Sequence, residues 1–130
     1  MSAKSILCLA LFLATPALAA DRGPAGLTQL PFVAQNAASG DIICSVSLAH
    51  WYSDELGRAA PGAAVKADFW KDPASGTVYL LNQSGDRMAV QMIWCGRAGQ
   101  AWETRSTLVP AASGTSNFTC EEKGGALVCR

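Results

Sequence analysis

From Asp41 onward the chain alternates with a period of two. Ile42, Cys44, Val46 and Leu48 share one face while Ser45 and Ser47 occupy the other, the pattern of a half-buried strand. This strand is expected to run on through His50-Trp51-Tyr52 until the polar stretch 53–57 and the Pro61-Gly62 turn end it, with at most one helical turn over 53–58. A second strand is predicted over 64–70, with Val65, Ala67 and Phe69 inward and Lys66, Asp68 and Trp70 outward. Asp72-Pro73-Ala74-Ser75-Gly76 then has the residues a tight turn requires: Asp to bond the backbone, Pro to preset φ, Gly to turn left-handed.

Further strands are predicted over 77–81, 87–95 and 102–109, separated by turns at 82–86 and 96–99. Over 87–95 the obvious apolar face is Met88, Val90, Met92 and Trp94, which puts Cys95 on the other face. That conflict predicts a bulge near Ile93, cover on both faces, or a different cysteine pairing. The chain ends in a hairpin closed by Gly124-Gly125, where both turn residues need positive φ. Counting outward from that turn, Cys120 faces Cys129 as a close, non-hydrogen-bonded pair. About seven short strands with turns between them make an all-β domain, a small antiparallel sandwich or barrel.

Residues 1–20 have a different pattern. Lys4 precedes a short apolar run, Pro16 breaks it, and Ala17-Leu18-Ala19 fits a signal-peptidase site. The run is too short for the roughly 20 residues of a spanning helix, and the mature chain has no transmembrane segment. We therefore expect a cleaved signal over 1–19, a flexible leader over 20–40 in which Leu30 and Phe32 cover one edge of the core, and one domain over 41–130. The mature protein would be periplasmic or secreted. In that oxidising setting the four cysteines after Cys8 read as two disulfides. The hairpin pairs Cys120 with Cys129, which leaves Cys44 for Cys95. No C-x-x-C spacing and a single His argue against a metal, and no cofactor is implied.

Composition narrows the chemistry. Lys+Arg and Asp+Glu are both 10, so there is no basic surplus for nucleic acid. A 50% hydrophobic, 15% charged chain is not a disordered one. His50 lacks any nucleophile elbow beside it. The carboxylate pairs Asp54/Glu55 and Glu121/Glu122 would point to opposite faces of a strand, so a carboxylate-dependent hydrolase is the least favoured class. Trp94 and Trp102 are expected in the core against the Cys44–Cys95 bridge. Trp51 and Trp70 project away from their strands' apolar sets and, with Tyr52 and His50, form the candidate binding face.

Ser75-Gly76-Thr77-Val78-Tyr79 fits the S-G-x-x-Y element of small periplasmic β-barrel inhibitors of lysozyme, which the chain also resembles in size, export and a cysteine near the C-terminus. The match covers five residues that a turn before a strand also supplies, and it assigns the chain to no family. The expected function is non-enzymatic binding: an accessory or inhibitor-like protein docking on another periplasmic or extracellular protein through a strand edge or an aromatic-rich face. A small glycan binder using the outward tryptophans is the alternative. Intact-mass analysis of the exported protein should find an N-terminus at Ala20 or Asp21; a species beginning at Met1 would overturn the signal assignment.

Overall fold

The computed structural model describes residues 21–50 and 52–130. The chain is all-β, with nine strands: β1 (Thr28–Asn36), β2 (Ile42–Leu48), β3 (Tyr52–Ala59), β4 (Ala64–Lys71), β5 (Val78–Leu81), β6 (Arg87–Arg97), β7 (Ser106–Leu108), β8 (Ser116–Lys123) and β9 (Ala126–Cys129). They join edge to edge in the order β3-β2-β6-β5-β4-β1-β8-β9, with β7 also on β6. β6 is the hinge of the design. Its first residues pair with β5, and its remainder pairs with β2 and β7. The sheet thereby curls until β9 packs on β6 and β7, and β3 packs on β4. All strand pairs are antiparallel except β1 with β8, so the sheet is mixed.

The alternation in β2 and β4 is realised as predicted. Ile42, Cys44, Val46 and Leu48 are buried, as are Val65 and Phe69, while Lys66 and Asp68 are exposed. Both disulfides form as expected, Cys44–Cys95 across β2 and β6 and Cys120–Cys129 across β8 and β9. The final hairpin has the predicted register, and Gly124 and Gly125 have φ of 59° and 82°. The conflict in β6 is resolved by a bulge. Ser47 pairs with Met92 but Leu48 with Val90, so Gln91 is the extra residue. Val90 before it and Ile93 and Cys95 after it all pack on the core.

Two expectations about the chain's organisation are corrected. The stretch assigned to a leader contains β1, flanked by β4 and β8, with Leu30, Phe32 and Ala34 buried. Phe32 packs edge-on against Phe69 at 5.7 Å and against Phe118 at 5.6 Å. Pro31 disguised this strand, since proline cannot donate to a ladder. Pairing with β8 starts only at Phe32, so Pro31 has a neighbour on the β4 side alone. Residues 21–27 are also tied down: Gly23 N–H donates to Gly85 O at 2.8 Å, and Arg87 donates to the carbonyls of Gly23 and Ala25.

The second correction concerns residues 49–59. The chain reverses after Leu48 and returns as β3, which with β1 makes two more strands than expected. Toward the C-terminal half, only Ser106–Leu108 of the strand predicted over 102–109 forms, because residues 101–104 make a turn. That turn lifts Trp102 out to 50% exposure instead of into the core. Trp94, 8% exposed, lies on the outer face of β6 under Trp102 at 5.4 Å, outside the main core.

Asn36, 2% exposed, closes the end of β1. Its amide donates to Gly40 O and Ala59 O, and its carbonyl accepts from Ala38 N–H. Asn36→Leu removes three bonds and strands buried backbone partners, so it should cost about 2–4 kcal/mol in chemical denaturation. A wild-type midpoint would show that the residue holds nothing together.

Candidate functional site

The sheet has two ends, and they differ. At the β9 end, Leu127 N–H donates to Thr104 O at 2.9 Å and Cys129 N–H to Ser106 Oγ at 3.0 Å. The loop before β7 and the first residue of β7 thus cover that edge. At the other end β3 pairs only with β2. Near the turn into β4 it is covered, with Gly57 so close to Val65 that a Cβ there would lie 3.2 Å from its methyl. From Tyr52 to Glu55 it is exposed on both faces and has no strand on its outer edge among the described residues.

Register decides where these side chains project. Tyr52 faces Leu48 and Asp54 faces Val46, both core positions of β2, whereas Ser53 and Glu55 face Ser47 and Ser45. Directly opposed residues share a face of the sheet, so Tyr52 and Asp54 lie on the core side at its open mouth. A bulge at Leu56 brings this about. Cys44 pairs with Gly57 and Ser45 with Glu55, leaving Leu56 as the extra residue, packed against the core. The reversal into β3 places His50 at φ 70°, the one positive-φ residue other than glycine among those described.

The mouth is a hollow of about 520 Å³ with a floor of Leu48, Met88 and Ala89 and a rim that includes His50, Tyr52 and Asp54. This volume is within the range of small-ligand and side-chain pockets. A second, shallower hollow of about 640 Å³ runs between β3 and the β4–β5 pair and contains Trp70 and Leu80. Asp54 and Asn82 line both. Of the four predicted binding residues, His50 and Tyr52 lie together at the mouth, and Trp70 lies in the neighbouring hollow. Trp51 lies outside the described residues. Tyr52 is 69% exposed and Trp70 half-buried.

Asp54, Asn82 and Met88 were missed as site residues. The signal for Asp54 was its place in a run lacking apolar alternation, which marks a strand bare on both faces. Asp54 accepts the Glu55 backbone N–H at 2.9 Å, a bond local to the edge. The two carboxylates of Asp54/Glu55 fall on opposite faces, as do those of Glu121 and Glu122, which face Val128 and Leu127. Glu122 instead meets Arg97 at 3.6 Å and Ser39 at 3.0 Å.

Elsewhere, polar groups serve the turns. Ser75 bonds Asp72 and Thr77 at 3.0 Å each, which accounts for the Ser-Gly of the S-G-x-x-Y element as turn chemistry. The sulfurs of Cys95, Cys120 and Cys129 lie within 4.8 Å of one another, but all three are in disulfides and offer no thiolate to a metal. Arg105 stacks over the Trp102 ring at 3.7 Å. No helix among the described residues is long and apolar enough to cross a membrane. No protein-family model matches the chain, and no curated protein is significantly similar to it.

Two carboxylates in turns, one after β4 and one before β6, have lowered pKa values. Asp72 is held below the ordinary 3.8 by the Ala74 N–H and the Ser75 hydroxyl, and Asp86 by the Asn82 amide and Arg22. A depressed pKa contributes stability that is complete above the ordinary carboxylate range and fades as pH falls toward the folded-state value. Melting temperature should therefore fall as the pH drops below about 4. Asp86→Asn should remove part of that fall, and an identical pH profile would rule out the Asp86 contribution.

Proposed function

We propose that the protein is an exported, non-enzymatic binding protein that docks on another protein by taking an extended segment along the outer edge of β3. The observation that carries this reading is the bare edge from Tyr52 to Glu55 beside a hollow with an apolar floor. Unpaired edge N–H and C=O groups are a template for an added strand, and the hollow accepts one of its side chains. Two disulfides fit a protein that works in an oxidising compartment. His50 and Tyr52 frame the mouth and Trp70 extends the contact. A glycan stacked on Trp70 is the second reading, favoured by Lys66 and Asp68 beside the indole in the same hollow; a fluorescence titration with cell-wall glycans would reveal it.

Point variants separate docking from folding. Tyr52→Ala should leave stability within about 0.5 kcal/mol of wild type, because the ring is mostly in water. At a docking hot spot it should weaken partner binding by about thirtyfold. Trp94→Ala, a buried large-to-small change, should cost about 3–5 kcal/mol. Melting curves and pull-down yield with the mature domain as bait measure both effects. Undiminished partner capture by Tyr52→Ala would overturn the proposed site.

A further inference from the structure

We infer that the segment β3 accepts is dibasic: an extended stretch with two consecutive Lys or Arg residues, one meeting Asp54 and the next meeting Glu55. The inference rests on the edge-docking reading and adds the partner's chemistry to it. Asp54 and Glu55 stand on opposite faces of the same bare edge. An added strand also alternates its side chains, so two neighbouring residues on it meet one carboxylate each.

The local charge balance favours cations. The hollow beside β3 is lined by three carboxylates, Asp54, Glu55 and Asp68, against one ammonium, Lys66. No ion pair among the described residues includes any of these four. Asp68 accepts only from the neutral Gln29 amide. The nearby arginines have partners of their own: Arg22 with Asp86, Arg58 with Asp41, and Arg87, which lines the mouth with Asp54, with Asp21 at 4.0 Å and the carbonyls of Gly23 and Ala25.

The same charges argue against a second copy of this chain as the occupant. Antiparallel pairing of β3 with its own copy about Asp54 and Glu55 would set carboxylate opposite carboxylate, which destabilises a strand pair. Asp54 adds a selective step. Its carboxylate occupies the Glu55 N–H, and a basic residue on the incoming strand draws it away and releases that donor to the ladder. An acidic or neutral segment supplies no such attraction.

Labelled eight-residue peptides test this on the oxidised mature domain by fluorescence anisotropy. Four share an alternating Val/Thr frame: one with central Lys-Lys, one with Ser-Ser, one with Glu-Glu, and a Lys-Lys version with proline at alternate flanking positions. The plain Lys-Lys peptide should bind about five- to tenfold tighter than Ser-Ser. That advantage should vanish in the Asp54→Asn/Glu55→Gln double variant and shrink between about 50 and 300 mM salt. The proline version, unable to donate to a ladder, should not bind. Equal binding of Ser-Ser and Lys-Lys would overturn the dibasic inference while leaving edge docking intact. Equal binding of the proline version would overturn edge docking itself, and binding by none of the peptides would overturn both.

Discussion

The two disulfides lie side by side, and through them the paired strands of both parts of the sheet are held together. Cys44–Cys95 ties β2 to β6, Cys120–Cys129 ties β8 to β9, and Cys95 brings its sulfur within 4.8 Å of the second bridge. A domain this small buries a limited share of its surface. On the chain-entropy model the bridges, spanning separations of 51 and 9 residues, contribute about 4 and 2.7 kcal/mol. Their position matters as much as their energy. Each bridge staples two neighbouring strands, and the two bridges pack beside one another where β6 meets β9, so the facing parts of the curled sheet meet at their stapled ladders.

With the middle fixed, the ends of the sheet are free to differ. The β9 end is closed by hydrogen bonds to the Thr104 carbonyl before β7 and to the Ser106 hydroxyl at its start. The β3 end has only the short contact near its turn, and the strand lifts away from the core toward Tyr52. Bulges at Leu56 and at Gln91 do this. Each shifts the face of one strand by a residue, the local bend and twist that bulges provide. The mouth with its apolar floor is what remains between the two displaced strands.

Legibility in the sequence followed burial. Where one face is buried and the other wet, as in β2 and β4, the two-residue period revealed strand, face and orientation, including the outward Trp70. The Gly-Gly turn fixed the last hairpin and its disulfide because a two-residue loop permits a single register. β1 escaped notice because Pro31, the apolar Val33 on its other face and the small Ala34 conceal its alternation, and its cover comes from distant strands that no local pattern reports. β3 escaped for the opposite reason. With both faces in water from Tyr52 to Glu55, selection for an apolar period is absent, and the residues read as a polar turn. The candidate site lies on that least legible strand, so His50 and Tyr52 could be named only as neighbours of Trp51, while Asp54 emerged from the register and Asn82 and Met88 from the lining of the hollow.

The parallel pairing of β1 with β8 sets the order in which the molecule can assemble. Hairpins such as β8–β9 close from neighbouring residues, but β1 meets β8 only after most of the intervening chain has formed. Contacts that far apart in sequence are slow to make. A chain emerging with its N-terminal part first must therefore hold β1 with one ladder side open, and Phe32 without its Phe118 neighbour, until Ser116 and the residues after it arrive. Until then the outer ladder of β1 is an unpaired edge, the kind of backbone that a strand from another chain can add to.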